Sequence, residues 1–183
     1  MAKNRKLLII SNEKVCLDKN KFYCDNIDMK SIPENLAKNF DITLILRKTK
    51  IERSHLISLD KIKLSSNFLS FLLSIYKNFK DKNMNYLIIS ITPYTFLAYL
   101  LLFIFRKKTF VYLRSNGYEE YKKILGFIGP IIYHLMYVIV TFDCKLITCQ
   151  QRLVKEKESN LVFPSELDNS WLNNTRESNL DRP

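Results

Sequence analysis

Short, uniformly apolar runs alternate with stretches of helical periodicity along most of the chain. The apolar runs predict strands at 6–11, 41–47, 59–64, 86–90, 108–114, 144–149 and 160–164. The helical spacing between them predicts helices at 31–40, 67–79, 93–105, 117–126 and 130–142. Strands that are apolar on both faces and alternate with helices are typical of a mainly parallel sheet covered on both sides. We therefore predict an α/β, Rossmann-like fold with about six to seven strands and helices on both faces.

Three of the predicted helices carry local signals of their own. Thr92 is placed to cap the helix at 93–105, and Pro93 takes its first position, where a missing N–H costs nothing. Ser31, with Glu34 three residues later, fits a capping box for the helix at 31–40. In the helix at 67–79, three- and four-residue spacing predicts one buried face, made of Phe68, Phe71, Leu72, Ile75, Tyr76 and Phe79.

The composition is that of a globular chain with a strong positive charge. Apolar residues make up 47% of the 183 residues, and 29 Lys and Arg outnumber 18 Asp and Glu, which gives a net charge of +11. Such a charge suits a nucleic acid, an anionic membrane surface or a phosphorylated ligand. The basic residues are spread along the chain and form no arginine-rich stretch, so we expect no nucleic-acid partner.

Cysteine and histidine usage gives little support to metal or disulfide chemistry. The chain has two histidines and no CxxC pair among its four cysteines, which are Cys16, Cys24, Cys144 and Cys149. We expect free thiols in a reducing cytoplasm and no bound metal. The apolar run at 7–10 is too short for the core of a signal peptide. The expected location is cytoplasmic, or peripheral at the inner face of the plasma membrane.

The apolar stretch at 124–142 is close to the length of a membrane span. It is interrupted by Gly126, Gly129, Pro130 and His134, and a predicted strand follows it directly. Three interpretations stay open: a pair of helices in or near the core, a true span, or a helix lying flat on a bilayer. In the last case the anionic headgroups would meet Lys107, Lys108, Lys122 and Lys123.

Ligands of open parallel sheets bind beyond the carboxyl ends of the strands, and those ends can be located in the sequence. Four predicted strands end in small polar or charged residues, at 11–13, 90–93, 114–117 and 149–152. We predict that this edge binds the ligand through Ser11, Asn12, Thr92, Arg114, Ser115, Asn116 and Gln150. No catalytic residue can be assigned from the pattern.

Arg114 is the most informative of these residues, because a guanidinium at a strand end suits a phosphate or carboxylate ligand. The alternative is an ion pair with Glu119 or Glu120. Asn116 and Glu119 fit a capping box for the next helix, so a structural role is the alternative for both.

Several enzyme classes that are defined by motifs are excluded. No GxGxxG follows the first predicted strand, and the Walker A, GxSxG and HExxH motifs are missing from the sequence. His134 lies in an apolar helical context and is predicted to be a satisfied helix residue rather than a catalytic base. His55 is predicted to lie in a polar loop.

The order of elements resembles the amino-terminal half of GT-B glycosyltransferases. Three segments carry this resemblance: "LIISITPYTFLAYLLLFIFRKKTFVYLRSNGYEEYKKILG", "KLITCQQRLV" and "LVFPSELDNSW". The type it resembles most is the retaining, family-4 (group 1) kind, which builds bacterial surface polysaccharides. The resemblance covers about residues 5–172 and includes no diagnostic catalytic motif.

The resemblance implies two Rossmann-like domains that face each other across a cleft. Residues 1–165 would be the amino-terminal domain, which binds a sugar or lipid-linked acceptor, and residues 166–183 a polar tail or the start of the interdomain linker. The donor-binding domain would be absent here. The resemblance thus implies no tightly bound cofactor, with the nucleotide-sugar donor held on the missing domain or by a partner chain.

Two departures from the family pattern limit what can be carried over. The loop "SNEKVCLDKN" after the first strand contains no glycine, and Arg114 or Ser115 stands where many relatives have a histidine. We therefore expect half of a polysaccharide or glycolipid glycosyltransferase, inactive without its donor-binding half. The alternatives are a non-catalytic, membrane-docked α/β binding or scaffold protein, and another doubly wound enzyme that uses a small phosphorylated ligand.

Overall fold

A computed structural model describes residues 5–154 and 157–162 of the chain. The strands in this part are β1 (Lys6–Asp18), β2 (Lys21–Cys24), β3 (Asp41–Thr49), β4 (His55–Ile57), β5 (Ile62–Ser65), β6 (Met84–Ile89), β7 (Thr109–Leu113), β8 (Lys145–Thr148) and β9 (Ser159–Leu161). The α-helices are α1 (Ile27–Leu36), α2 (Phe68–Tyr76), α3 (Pro93–Ile104), α4 (Gly117–Leu125) and α5 (Gly129–Val140). Short 3-10 turns follow at Gly126–Ile128 and Gln151–Leu153. The predicted tail at 166–183 lies outside the described residues.

The described strands form one sheet whose main part is parallel. Its order is β5-β3-β1-β6-β7-β8-β9, and β2 and β4 add an antiparallel extension to the outer end of β1. The chain starts in the centre at β1, moves outward through β3 and β5, and returns to β6 on the other side of β1. This is the strand order of doubly wound folds, and the reversal between β1 and β6 is the switch point at which such folds bind ligands.

Both faces of the sheet are buried, which explains why its strands are apolar throughout. In β1, Leu8 and Ile10 belong to one core and Leu7 and Ile9 to the other. The first core is closed by α2, α3, α4 and α5, and the second by α1. The predicted fold class, an α/β fold with a mainly parallel sheet and helices on both faces, is confirmed.

The first strand is longer than predicted, and this changes the end of the sheet. It continues beyond residue 11, past a register shift between Ile10 and Lys14, as far as Asp18. Lys19 and Asn20 have φ values of 44° and 62° and form the two-residue turn into β2. His55, predicted in a loop, lies in β4, which pairs with β2.

The predicted helix starts are partly confirmed. The cap of α3 by Thr92, with Pro93 in the first turn, is confirmed, and Thr95 completes a capping box with Thr92. The predicted cap by Ser31 is wrong, because Asn26 caps α1 and Ser31 lies inside that helix. On the predicted buried face of α2, Tyr76 is 50% exposed, whereas the side chains that are fully buried are those of Phe71 and Ile75.

The apolar stretch at 124–142 belongs to a helical hairpin. The run Gly117–Val140 is long and apolar enough to cross a membrane, by length and composition alone. The chain turns at Gly126, where φ is 66°, and α5 packs back against α4. The ring of Tyr118 lies 6.0 Å from that of Tyr137, near the far end of α5, which shows that the two helices are antiparallel. This packing favours the interpretation as a pair of helices beside the core.

Candidate ligand site at the carboxyl edge of the sheet

The polar strand ends that the sequence predicts meet at one edge of the sheet. Ser11 pairs with Ile89 at the end of β6, and Ile89 pairs with Tyr112 near the end of β7. Because these strands are parallel neighbours, the residues that follow them lie on both sides of the switch point. We call this region, from Asn12 through Ser90 to Arg114, the carboxyl edge.

The turn after β6 has an uncommon backbone conformation. Ser90 has a φ of 63°, in the left-handed region that residues other than glycine seldom adopt. Its N–H donates to the carbonyl of Tyr112 at 2.9 Å, and its own carbonyl accepts a bond from the Thr95 hydroxyl at 2.8 Å. These two bonds hold the turn in place at the switch point. The hydroxyl of Thr92, a predicted ligand residue, caps α3 beside it.

Arg114 links the end of β7 to the first turn of α1. Its Nη1 donates to Oδ2 of Asp28 at 3.1 Å, and the two side chains are 31% and 10% exposed. The alternative partners considered from sequence, Glu119 and Glu120, are therefore wrong. The Nε of Arg114 is buried without a hydrogen-bond partner among the described residues.

A second arginine, Arg47, stands on the other side of the switch point near the end of β3. Its Nη1 donates to Oδ1 of Asn12 at 3.0 Å, and its Cζ lies 4.1 Å from the centre of the Tyr94 ring. The hydrogen bond and the cation–π contact together fix the plane of the guanidinium. Asn12 was predicted as a ligand residue, whereas Arg47 and Tyr94 were missed. The available signal was that the strand at 41–47 ends in arginine, as does the strand at 108–114.

Glu13 places a partly buried carboxyl group at the register shift of β1, between Ile10 and Lys14. Burial raises the pKa of this carboxyl above its usual value, while the Asn26 backbone N–H and the charges of Arg114 and Arg53 offset part of the rise. Arg53 is itself paired with Asp25. The edge therefore combines two arginines with a carboxyl group whose pKa is raised by burial.

The space next to Arg114 is nearly filled by protein. A cavity of about 10 Å³, enough for about one water molecule, is lined by Ser90, Arg114, Ser115, Glu120 and Tyr133, among others. Ser115 is thus brought together with Ser90 and Arg114 as predicted from the strand ends. A larger ligand would have to bind on the open side of the carboxyl edge.

The side chains of the remaining predicted residues form hydrogen bonds with residues close to them in sequence. Asn116 caps α4 by accepting from the N–H of Tyr118 at 3.2 Å, and its Nδ2 donates to Glu119 at 2.8 Å. This side-chain bond stands in place of the predicted capping box. Ser11 is buried and its hydroxyl accepts from the N–H of Glu13 at 3.2 Å. The Oε1 of Gln150, after β8, accepts from Nε of Arg152 at 2.7 Å.

The surroundings of His134 and of the four cysteines indicate structural roles for these side chains. Nδ1 of His134 lies 2.9 Å from the Tyr118 hydroxyl, in agreement with its prediction as a satisfied helix residue. The four cysteines are free, and burial raises the pKa of Cys24 to about 11 and that of Cys144 to about 12. Within the described part of the chain, no group of three His, Cys, Asp or Glu side chains could hold a metal ion.

Among known proteins, one solved structure is similar to this chain at low sequence identity. No model of a protein family matches the sequence, and no curated protein matches it. The chain is similar to the crystal structure of a protein assigned as a UDP-N-acetylglucosamine 2-epimerase from Listeria monocytogenes, with 13% identity and a TM-score of 0.46. The alignment covers 85% of this chain and 41% of that one, so this chain spans less than half the length of that protein.

Proposed function

We propose that this chain is the acceptor-binding part of a sugar-nucleotide-dependent glycosyltransferase of polysaccharide or glycolipid biosynthesis. The acceptor is a free or lipid-linked sugar, and a separate donor-binding domain or partner chain holds the nucleotide sugar. The observation that carries the proposal is the carboxyl edge, where Arg47 and Arg114 flank the switch point of a doubly wound sheet whose first strand does not end there.

The course of β1 argues against a nucleotide at this edge. In dinucleotide-binding sheets the first strand ends in a glycine-rich turn, and the next helix points its N-terminus at the pyrophosphate. Here β1 runs on to Asp18, and α1 begins after the hairpin with Asp28 in its first turn. This carboxylate competes with phosphate for the positive end of the helix dipole. The edge thus suits a hydroxyl-rich ligand better than a diphosphate.

The side chains at the edge supply what a sugar hydroxyl needs. The Arg114–Asp28 pair and the amide of Asn12, whose Oδ1 already accepts from Arg47, supply donors and acceptors at the carboxyl edge. Glu13, with its raised pKa, is suited to accept the proton that an attacking hydroxyl loses. The charge that develops on the leaving diphosphate would be stabilised by groups on the donor side.

Sugars are expected to bind the carboxyl edge weakly, whereas nucleotide sugars are not expected to bind it. In amide NMR titrations of isotope-labelled protein, methyl glucoside, methyl galactoside and N-acetylglucosamine should shift signals around Asn12, Ser90 and Arg114 with Kd of about 1 mM. Arg114→Gln should weaken this binding about tenfold, because the guanidinium donors are lost.

Lys61→Gln serves as the control for that titration, since it removes a cation whose pair with Asp41 is exposed to solvent. Its binding should equal that of the unchanged protein. Micromolar binding of UDP-glucose, UDP-N-acetylglucosamine or GDP-mannose at the same signals would contradict the proposal and favour an enzyme that uses a phosphorylated ligand.

No donor-dependent product is expected when the chain alone is incubated with a panel of nucleotide sugars and a bacterial lipid extract. The reason is that the groups which stabilise the leaving diphosphate are proposed to lie on another domain or chain. Product can be followed by transfer of labelled sugar into the lipid fraction. Robust transfer by the purified chain would refute the half-enzyme interpretation.

A second candidate function is a non-catalytic binding or scaffold protein that docks on a membrane. The apolar surface of α5 described below favours it. It would be preferred if the chain bound vesicles while neither sugars nor nucleotides shifted any signal at the carboxyl edge.

A further inference from the structure

One face of α5 is apolar and exposed along its whole length. All of its exposed side chains except His134 are apolar, although the opposite face already fills the core with Tyr133, Met136, Tyr137 and Val140. The exposed apolar surface continues before and after the helix, and we call it the apolar ridge: Ile124, Leu125, Phe127, Ile128, Ile131, Ile132, Leu135, Val138, Ile139 and Phe142. A helix that is apolar on all sides requires a second apolar environment in addition to the core.

The size of the ridge exceeds what soluble monomers usually expose. Phe127 is 82% exposed and Phe142 81% exposed, at opposite ends of the ridge. With about 150–250 Å² for a large side chain, the ridge exposes on the order of 1,000 Å², compared with a few hundred Å² for the largest patch of a typical monomer.

An apolar groove lies beside the ridge, between α3 and α5. It has a volume of about 300 Å³ and is lined by Tyr99, Leu100, Phe103, Val138, Ile139 and Phe142. At the amino edge of the sheet it meets a larger cleft of about 810 Å³, which shares Tyr99, Phe103 and Phe142. The groove and ridge therefore form a continuous apolar surface.

The larger cleft carries mostly positive charge. Its lining includes Arg106, Lys107, Lys108 and Lys145 together with one acid, Asp143. A neighbouring cleft of about 760 Å³ shares Arg106, Lys107 and Lys108 and adds Arg5 and Lys82, with Asp81 as its acid. At the other end of the hairpin, Lys122 and Lys123 are exposed on α4 next to Ile124. We call these cations the basic rim.

We propose that the apolar ridge and its basic rim dock this protein on an anionic phospholipid bilayer. The ridge and groove enter the boundary between headgroups and acyl chains, with α5 lying in the plane of the membrane, and the basic rim contacts the lipid phosphates. The face of α5 opposite the ridge packs in the protein core through Tyr133, Met136 and Tyr137, so only one side of the helix can meet lipid, which is the arrangement of an in-plane helix rather than of a span.

The charge pattern favours a bilayer over a second protein as the occupant. Protein interfaces are depleted of lysine at their cores, whereas anionic membranes attract clustered cations beside an apolar face. The chain as a whole carries a net charge of +11, which adds to this attraction. The inference does not depend on the proposed function, because the ridge and rim lie on α3, α4, α5 and the amino edge rather than on the carboxyl edge.

Vesicle flotation of the full chain tests the proposal. Vesicles of phosphatidylcholine with one quarter phosphatidylglycerol should bind the protein at least tenfold more tightly than vesicles of phosphatidylcholine alone. Raising the salt to 0.5 M should weaken the binding at least fivefold, because screening removes the contribution of the rim. Extraction with alkaline carbonate should release the protein, whereas a protein that resists extraction would overturn the in-plane arrangement.

Two variants separate the apolar from the charged contribution. Phe127→Ser combined with Phe142→Ser removes two highly exposed aromatic side chains and should lower vesicle binding at least tenfold. Arg106→Gly removes a rim cation at a residue with a φ of 50°, where glycine is favoured, so folding is preserved while binding falls about fivefold. Ile51→Ser and Lys61→Gln, which alter exposed residues outside the ridge and rim, are the matched controls and should bind normally.

A second copy of the chain is the alternative to a bilayer as the partner of the apolar ridge. Sedimentation of the protein without vesicles should show a monomer at micromolar concentration. A dimer that Phe127→Ser with Phe142→Ser converts to a monomer, together with vesicle binding no stronger than that of the double variant, would overturn the proposal.

Discussion

Gly129→Ala is expected to destabilise the protein by about 2 kcal/mol, although alanine is a better helix former than glycine. A Cβ on Gly129 would lie 2.0 Å from the carbonyl oxygen of Tyr121 and 2.4 Å from its carbonyl carbon. Both atoms belong to the backbone of α4, so no side-chain rotation can relieve the contact and the two helices must separate. Overpacking costs about 1–3 kcal/mol or more, which outweighs a gain of about 1 kcal/mol in helix propensity.

Urea denaturation measures this effect, and a substitution in the same helix provides its control. Val138 is 46% exposed on the apolar ridge, so Val138→Ala changes helix propensity in α5 at a position that is not fully buried. It should shift the free energy of unfolding by less than about 0.5 kcal/mol. If Gly129→Ala instead raised the midpoint, the close antiparallel packing of α4 and α5 would be wrong.

The parallel part of the fold could be predicted because its signals are local. Uniformly apolar runs such as 86–90 mark strands that are buried on both faces, and the residues at Thr92 and Pro93 start a helix by their own chemistry. The two helices at 117–126 and 130–142 were predicted for a similar reason, since glycine and proline interrupt the apolar stretch between them.

The antiparallel extension could not be predicted from the same signals. Residues 12–24 are mostly polar or charged, and a polar stretch is compatible with a loop as well as with an exposed hairpin. The turn is made by Lys19 and Asn20, which adopt positive φ without a glycine. Pairing of β2 with β4 then depends on contacts between residues more than 30 positions apart, such as Tyr23 and Leu56.

The sequence predicted which strand ends form the candidate site, but it did not predict which side chains pair with one another there. Asn12 follows the strand predicted at 6–11 and Arg114 follows β7, so topology alone places them at the same edge. Their partners Arg47 and Asp28 are 35 and 86 residues away in sequence, and no local pattern specifies such pairs. The apolar stretch of α5 shows the same limit, because periodicity cannot tell a face that packs on protein from one that remains exposed.

Asp28→Ala is expected to destabilise the fold by about 2 kcal/mol, and Arg114→Ala should have an effect of similar size. Asp28 is a buried carboxylate in the first turn of α1, and Arg114 is the cation that accompanies it. Loss of either partner leaves a charge that is largely removed from water. Because Arg114 is 31% exposed, the cost is less than that of a fully buried pair.

A double-mutant cycle measured by urea unfolding isolates the pairwise energy of Asp28 and Arg114. The two single changes share one interaction, so Asp28→Ala with Arg114→Ala should cost about 1 kcal/mol less than the sum of the two. The exposed pair of Lys61 and Asp41 is the control cycle, and its coupling should be below about 0.5 kcal/mol. If both cycles gave the same small coupling, Arg114 would not be held across the carboxyl edge by Asp28, and its guanidinium would be free to bind a phosphate. A hydroxyl-rich ligand would then no longer be favoured over a phosphorylated one at this edge.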